Sequence, residues 1–409
     1  MSIALAFSGG LDTSFCVPYL REETGREVHT VTVDTGGFDD AERAAIAARA
    51  AELGAASHTL VDARRALWDR VLQYLVKGNV RRGGVYPLCV GPERVVQAEA
   101  LVREARRLGA TAVAHGSTGA GNDQIRFDGA LRLLAGGRPG ERSGGALDVL
   151  TPIRTLALSR EASAAYLAER GVPVDAATAD YSVNSGLWGT TIGGKETHRP
   201  DGELPEAAWV HTVAPQHAPD APLRLTLRWE AGVPVALRGD GLDPVEGDPV
   251  ALVEALNRLG AAHGVGRGVH VGDTILGIKG RVAFEAPAAA VLLDAHRELE
   301  KVVLTHLQLT HKAAQGDLYG RLVHEGLFFD PLARDLEAYL DATQARVSGT
   351  TTVELFKGAA RVVGASSPHG LFDAGARYGE GSRLWDGRDA EGFARIYGLQ
   401  GRLAAALDA

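Results

Sequence analysis

Short apolar runs alternate with segments of helical periodicity along the first part of the chain. The predicted strands, each closed by turn-forming residues, are 3–7, 28–35, 57–63, 110–116 and 146–152. The predicted helices between them are 11–25, 39–54, 64–76 and 92–109. Strands that alternate with helices favour a doubly wound parallel sheet with helices on both faces.

The pattern changes beyond this region. Two hairpins, turning near Gly232 and at 357–358, are predicted around three helices at 248–264, 286–311 and 331–347. The stretch 263–273 is predicted to be a turn and 273–286 a strand. A short helix from Phe393 ends the chain. We therefore expect an α/β domain over 1–171, an α+β domain over 172–363 and an oligomerisation tail over 364–409, since the tail has too little apolar surface for its own core.

Two unusual loops follow the first and fourth predicted strands. The sequence "SGGLDTS" occupies 8–14, and "HGSTGAGNDQIRFD" occupies 115–128. In a parallel sheet the ligand crevice lies at the carboxyl ends of the strands, so both loops are predicted to line it.

The first loop has the chemistry of a phosphate site. Glycines let phosphate oxygens approach the backbone N–H groups at a helix start, and Ser8, Thr13 and Ser14 add hydroxyl donors. Asp12 would repel a polyphosphate unless Mg²⁺ lies between them. Neither GxxxxGK[ST] nor GxGxxG occurs here, which excludes a Walker-type or a dinucleotide loop. A plain glycine-rich turn explains a lone SGG but not the whole string.

The second loop carries groups suited to two amino acids held side by side. Arg126 offers a planar fork for a carboxylate, Asn122 and Thr118 can orient a second one, and Asp123 can accept from an ammonium group. A helix cap followed by a surface helix explains Asn122 or Asp123 alone.

Composition adds constraints. The net charge of −8 argues against nucleic-acid binding, and no apolar stretch approaches the length of a membrane span. The two cysteines, Cys16 and Cys89, have no metal-ligand spacing, so we expect no bound structural metal. The N-terminus lacks the layout of a signal peptide, and a cytoplasmic location is expected.

The strings "AFSGGLDTS", "HGSTGAGNDQIRFD", "YSVNSGLWG", "FEAP" and "DAEGFARIYGL" together resemble the argininosuccinate synthase family of N-type ATP pyrophosphatases, over nearly the whole chain. The resemblance implies a synthetase domain after the nucleotide-binding domain, a homotetramer, and small-molecule substrates. It implies condensation of citrulline with aspartate through a citrullyl-adenylate, with ATP converted to AMP and pyrophosphate.

The resemblance also implies site residues, position by position. Those expected to bind ATP are Ala6, Phe7, Ser8, Gly9, Gly10, Leu11, Asp12, Thr13, Ser14, Val33 and Gly116. Those expected to hold aspartate are Thr118, Asn122 and Asp123. Those expected to hold citrulline are Tyr86, Asn122, Arg126, Ser182 and Thr191. Asp12, through Mg²⁺, and Asp123, by orienting the attacking amine or taking its proton, are the expected catalytic residues.

The chain departs from the family pattern at several positions. Ala120 replaces a lysine, Gly91 a small hydroxyl residue, Gly272 an acidic residue and Phe284 a tyrosine. These changes leave open how the α-amino group of citrulline is held, and whether the substrate is citrulline or a modified citrulline; Asp273 could supply the missing carboxylate.

Two other functions stay open from the sequence. A tRNA-thiolating or amidotransferase-coupled pyrophosphatase would require catalytic cysteines with a basic face, or a glutaminase domain. A non-catalytic nucleotide sensor would not require the second loop.

Overall fold

A computed structural model of the chain describes residues 1–119, 121–136, 146–172, 181–372 and 384–407. The first part holds a five-stranded parallel sheet in the order β3-β2-β1-β4-β5. Its strands are β1 (Ser2–Ala6), β2 (Glu27–Asp34), β3 (Ser57–Asp62), β4 (Ala112–Ala114) and β5 (Asp148–Leu150).

Helices lie between and after these strands along the chain. They are α1 (Leu11–Thr24), α2 (Asp40–Glu52), α3 (Arg64–Leu67), α4 (Gln73–Lys77), α5 (Glu93–Arg107), α6 (Asn122–Ala135), α7 (Pro152–Leu156) and α8 (Arg160–Ala168). A π-helical turn, Trp68–Leu72, joins α3 to α4. Gly25 ends α1 in the left-handed conformation, and Asp39 caps α2 through a reciprocal bond pair with Glu42. The alternating pattern thus predicted this part correctly.

Two antiparallel sheets make up the second part. One has the order β11-β12-β7-β6 and the other the order β10-β9-β8-β13-β14. Their strands are β6 (Ser182–Gly186), β7 (Gly189–Gly193), β8 (Leu223–Glu230), β9 (Val233–Gly239), β10 (Val245–Glu246), β11 (Arg267–Asp273), β12 (Lys279–Glu285), β13 (Gly349–Phe356) and β14 (Ala359–Ser366). The helices are α9 (Pro249–Ala262), α10 (Pro287–Val303), α11 (His306–Glu325), α12 (Pro331–Gln344), α13 (Gly387–Ile396) and α14 (Leu399–Leu407).

Three local predictions were wrong. The predicted turn over 263–273 is largely strand β11, because the turn ends at Gly266, whose φ is +96°, and the glycine-rich residues after it pair with β12. The predicted helix 286–311 is two helices, since Thr305 starts α11 with a capping box to Gln308. The last helical segment begins before Phe393, because Asp386 caps α13.

The segment that joins α3 to α5 packs into the core of the second part rather than of the parallel sheet. Leu67, Leu75, Val80 and Leu88 belong to one buried cluster with residues of the second part such as Leu292. Ion pairs fasten the same segment, with Lys77 Nζ 2.6 Å from Asp341 Oδ1. The segment before the loop that follows α4 is therefore held by the second part of the chain.

A buried polar network lies beneath this loop. Glu300 accepts from Lys312 Nζ at 3.0 Å and from Gln344 Nε2 at 2.6 Å, and His296 Nε2 lies 2.8 Å from Gln344 Oε1. Asn79, at the start of the loop, donates to Glu300 Oε2. Burial lowers the pKa of His296 to about 4, with Glu300 acting in the opposite direction, while both ring nitrogens lie 2.8 Å from an amide oxygen, of Asn79 and of Gln344.

The C-terminal helices make few contacts with the rest of the described chain. Helices α13 and α14 bury no residue against the rest of the described chain, and Phe393 and Tyr397 stack in the open with ring centroids 5.0 Å apart. Among the described residues, no helix has both the length and the apolar character needed to cross a bilayer.

We predict that Lys312→Met destabilises the protein by about 3–5 kcal/mol, because it leaves the Glu300 carboxylate buried without its cation. Urea denaturation measures the free energy of unfolding. The exposed Lys301→Met is the matched control and should change it by no more than about 0.5 kcal/mol. A loss for Lys312→Met as small as that of the control would mean that Glu300 does not depend on this pair.

Candidate functional site

The strand order creates a crevice beside β1. Strand β1 pairs with β2 on one side and β4 on the other, with Leu5 opposite Ala114. The chain leaves these neighbouring strands in opposite directions across the sheet, so the loops that follow β1 and β4 begin side by side. The structure therefore brings the two loops predicted from sequence into one site.

The first loop presents backbone N–H groups and hydroxyls. Helix α1 begins after Gly10, and no side chain among the described residues caps its first turn. Ser8 Oγ lies 3.2 Å from Thr13 Oγ1, and Thr13 Oγ1 donates to the Gly10 carbonyl at 3.1 Å. Ser14 is buried and donates to the Gly9 carbonyl at 3.3 Å. The free N–H groups of an uncapped helix start suit an anion.

Gly116 allows the two loops to touch. A Cβ at this position would lie 3.2 Å from the Thr13 backbone nitrogen, so only glycine fits without a shift. His115 anchors the same loop: its Nδ1 accepts from Ser117 N at 3.2 Å, which leaves Nε2–H to donate to Asp128 at 3.2 Å.

Two cavities open from the crevice. The larger, about 820 Å³, is lined by both loops and by Val33, and the smaller is about 390 Å³. The residues predicted to bind ATP that line the larger cavity are Ala6, Phe7, Ser8, Gly10, Leu11, Asp12, Thr13, Val33 and Gly116. The residues predicted to hold aspartate or citrulline that line the smaller cavity are Tyr86, Asn122, Asp123, Arg126 and Thr191. Asp123 contributes to both linings.

Some predicted residues lie elsewhere. Gly9 and Ser14 support the first loop from behind, and Thr118 is exposed beside the crevice. Ser182 lines the larger cavity rather than the one that holds Arg126. Ala120 lies outside the described residues.

Asp123 is held between two guanidinium groups. Arg94 Nη2 lies 2.9 Å from Asp123 Oδ2, and Arg126 Nη1 lies 2.9 Å from Oδ1. Burial alone would raise the pKa of Asp123, but the attraction of Arg94 and Arg126 outweighs it and lowers the pKa. The carboxylate therefore stays charged, which suits a fixed hydrogen-bond acceptor.

Arg126 is itself bound on its inner side. Its Nε donates to the His324 carbonyl at 2.6 Å, and its Nη2 donates to His324 Nδ1 at 2.9 Å. With Asp123 on Nη1, two of the five guanidinium N–H groups remain, one on each terminal nitrogen. The fork is positioned before any substrate arrives.

Three of the positions that depart from the family pattern, Gly91, Gly272 and Phe284, lie beside residues that line the smaller cavity. A Cβ at Gly91 would lie 3.5 Å from the guanidinium carbon of Arg126, and one at Gly272 would lie 2.5 Å from His270 Nε2. Phe284 packs against Tyr86, with ring centroids 5.3 Å apart. Asp273 is paired with Lys279 Nζ at 2.6 Å, at the open end of the hairpin.

Family models cover both parts of the chain. The model described as Arginosuccinate synthase N-terminal HUP domain matches residues 2–173, and that described as Arginosuccinate synthase C-terminal domain matches 181–404. The chain belongs to the argininosuccinate synthase family. This confirms the resemblance read from the motifs and the predicted fold class, an α/β domain followed by a second, sheet-containing domain.

Curated argininosuccinate synthases match over almost their full length. The protein from Xanthomonas campestris is 42% identical over 408 residues, which is 98% of each chain. That from Methanopyrus kandleri is 41% identical over 404 residues, again 98% of each chain. A solved NH3-dependent NAD synthetase from Campylobacter jejuni covers 42% of this chain and 64% of its own at 14% identity and TM-score 0.28, which is too weak to carry an argument.

Sequence reasoning missed Glu93 in this member of the argininosuccinate synthase family. The residue starts α5, lines the larger cavity and is 3% exposed, and its Oε1 has no hydrogen-bond partner among the described residues. Burial raises the pKa of Glu93 to about 8, although Arg94 and Thr35 oppose the change. The "GPER" string indicated a helix start but gave no sign that this carboxyl would face inward.

We predict that Glu93 makes stability fall with rising pH. Its pKa is about 8 in the folded chain against 4.5 normally, so the folded state holds the proton more tightly. Its stabilising contribution is complete below about pH 4.5 and is lost as pH rises towards 8, at up to about 1.4 kcal/mol per pH unit. Between pH 5 and 8, urea denaturation should therefore show the free energy of unfolding of Glu93→Gln rising by about 3–4 kcal/mol relative to that of the native chain.

The control for this prediction is Glu203→Gln, which changes an exposed carboxyl. Its free energy of unfolding should follow that of the native chain across the same pH range. If the free energy of unfolding of Glu93→Gln also changes with pH as that of the native chain does, burial does not raise the pKa of the Glu93 carboxyl.

Proposed function

We propose that the protein condenses L-citrulline with L-aspartate to argininosuccinate in arginine biosynthesis. The ureido oxygen attacks the α-phosphorus of ATP to give a citrullyl-adenylate and pyrophosphate, and the aspartate amine then displaces AMP. The observation that carries this proposal is a phosphate-type loop beside an amino-acid-type loop, with Asp123 in the wall of both cavities. Full-length similarity to curated argininosuccinate synthases supports it.

The larger cavity is proposed to bind ATP. The N–H groups at the start of α1 and the hydroxyls of Ser8 and Thr13 would hold the β- and γ-phosphates, since an uncapped helix start attracts anions. Val33, on the neighbouring strand, would line the nucleoside end. Gly116 would keep the second loop close enough for the α-phosphorus to face the amino-acid side.

Mg²⁺ is proposed to accompany ATP. Asp12 is half-buried in the cavity wall, and burial raises the pKa of its carboxyl against the effect of Arg160, so a cation beside it would relieve an unfavourable charge. Within the described ranges no cluster of three His, Cys, Asp or Glu side chains could hold an ion alone. This fits Mg²⁺, which commonly uses one or two carboxylates together with substrate phosphates and neutralises their charge.

The smaller cavity and the second loop are proposed to hold the amino acids. Asp123 would accept from the aspartate ammonium and orient its amine, while Thr118 and Asn122 would bind the aspartate carboxylates. Arg126, Tyr86 and Thr191 would hold the ureido substrate, with Ser182 on the nucleotide side. Holding both reactants in line with phosphorus is the main contribution such a site can make to the rate.

A homotetramer in the cytoplasm is proposed as the working form. The exposed apolar side chains of α13 and α14, such as Ile396 and Leu403, support burial against other subunits. The two free, buried cysteines suit a reducing compartment. Light scattering gives the subunit number, and a monomer would contradict the first part of this proposal.

The products of ATP test the proposed reaction. Phosphorus NMR of ATP incubated with citrulline, aspartate and Mg²⁺ should show AMP and pyrophosphate in equal amounts. Omitting aspartate should leave at most a single turnover. ADP with inorganic phosphate would exclude the pyrophosphatase mechanism, and no reaction with either amino acid would favour a nucleotide sensor.

We predict that Asp12→Asn lowers kcat by on the order of 10²-fold or more, because the amide cannot place the metal that neutralises the phosphates. Steady-state kinetics at saturating Mg²⁺ measure the effect, and Asp335→Asn, an exposed site, is the matched control. The melting temperature should stay close to that of the native chain. An unchanged kcat would leave Asp12 with no part in catalysis.

A further inference from the structure

The larger cavity contains little positive charge that is not already paired. Of the described residues that line it, two are arginines, Arg94 and Arg160, and none is a lysine. Arg94 is bound to Asp123, with its Nη2 2.9 Å from Oδ2. The first loop has no arginine or lysine, and Arg126 of the second loop lines the smaller cavity. Within the described lining, Arg160 is therefore the arginine available to a polyphosphate.

The packing of two helices places Arg160 beside the first loop. The rings of Phe15 in α1 and Tyr166 in α8 have centroids 4.7 Å apart. Farther along both helices, Arg170 Nη2 lies 2.7 Å from Glu22 Oε2. Because the residues meet in the same order, α1 and α8 run side by side in the same direction. Arg160, the first residue of α8, therefore lies next to the loop from which α1 begins.

The charge of Arg160 acts on the first loop without being consumed there. Burial raises the pKa of the Asp12 carboxyl, and the charge of Arg160 lowers it. The pKa of the neighbouring Glu161 is lowered first by a backbone N–H and by Ser159, and only then by Arg160. Arg160 makes no ion pair or hydrogen bond with any residue in the described ranges. Its N–H groups are therefore available to a ligand.

The position of Arg160 offers an arginine no structural benefit. At the first residue of a helix the aligned N–H groups carry a partial positive charge, which repels a cation. Ser159 already caps α8, with its Oγ accepting from Ala162 N at 3.2 Å. Arg160 is also exposed, so its side chain is not part of a core. A cation in an unfavourable place, without a partner and at the edge of a cavity, points to an anionic ligand.

We propose that Arg160 is a catalytic residue that binds the β- and γ-phosphates of ATP and stabilises pyrophosphate as it leaves. This rests on the proposed function, because it adds a residue to the same reaction. The N–H groups at the start of α1 and the guanidinium at the start of α8 would hold the polyphosphate together. Asp12 would hold the Mg²⁺ that shares the same charge.

The bond changes of the reaction explain why a cation is useful at this place. The ureido oxygen forms a bond to the α-phosphorus, while the bond from that phosphorus to the bridging oxygen breaks and its electron pair stays on pyrophosphate. The ureido group keeps its protons and becomes a cationic isourea joined to AMP. The departing phosphates thereby gain one negative charge. A guanidinium that donates to them therefore stabilises the transition state more than the ground state.

The kinetics of Arg160→Ala test this catalytic role. At saturating ATP, Mg²⁺, citrulline and aspartate, kcat for pyrophosphate release should fall on the order of 10²-fold, because a donor to the developing charge is lost. Arg160→Lys keeps the charge without the planar fork and should restore part of this loss. Arg258→Ala, at an exposed arginine of α9, is the control and should keep the native kcat. A kcat of Arg160→Ala within about threefold of the control would overturn the inference.

Thermal unfolding separates this role from a structural one. Because Arg160 has no partner in the described chain and opposes the dipole of its helix, Arg160→Ala should melt within about 2 °C of the native protein. Removing an arginine that holds the fold together would lower the melting temperature instead. A larger fall that accompanies the loss of activity would therefore assign Arg160 to the fold and contradict the inference.

Binding of the two products locates the contact. Calorimetric titration with pyrophosphate and Mg²⁺ should give a Kd for Arg160→Ala about tenfold or more above that of the native chain, because a charge-assisted pair is lost. The Kd for AMP should be the same in both proteins. Equal weakening of both products, or of neither, would contradict the placement of Arg160 at the leaving group.

The same titration distinguishes a failure of this inference from a failure of the proposed function. If the native chain releases pyrophosphate with citrulline and aspartate, but Arg160→Ala binds pyrophosphate as tightly as the native chain, the proposed reaction stands and the inference is wrong. If the native chain releases no pyrophosphate, the proposed reaction is wrong, and the two Kd values alone decide the role of Arg160. A native chain that binds no pyrophosphate would contradict the inference.

Discussion

The position of β1 between two parallel neighbours is the constraint on which the site depends. Because β2 and β4 lie on opposite sides of it, the connections after β1 and β4 must diverge, and a crevice opens between them. Gly116 then sets how closely the loops approach, since its missing side chain leaves room for the backbone of α1. The second part of the chain closes this crevice with β6, β7 and the β11–β12 hairpin, and forms the walls that a parallel sheet alone cannot supply.

A chain of charges then orders the wall between the two cavities. Arg126 is buried and Arg94 half-buried on either side of the partly exposed Asp123 carboxylate, so each charge depends on its neighbours where solvent screening is reduced. Removing any one would leave another without compensation, which costs more than an exposed pair of the same geometry. His324, in α11, extends this chain of contacts and links Arg126 of α6 to the helices of the second part.

Local features of the site could be predicted from the sequence. The glycines and hydroxyls of 8–14, and Asn122, Asp123 and Arg126, lie within short stretches whose chemistry is visible along the chain. The partners of those residues could not be predicted, because His324 lies 198 positions from Arg126 and no local pattern joins them. Strand β11 was missed for a related reason: its glycines resemble a turn until β12 is placed beside it. Glu93 was missed because burial, not residue type, gives its carboxyl an unusual proton affinity.

Asp123 belongs to the walls of both cavities, with one oxygen bound by Arg94 and the other by Arg126. Ligands that alter its orientation from one side must act on the other, and thermodynamic linkage makes that coupling reciprocal. If a ligand in one cavity strengthens binding in the other by some factor, the second ligand strengthens binding of the first by the same factor. A single carboxylate in the wall of both cavities would therefore be enough to couple their occupancy, without any movement of the domains.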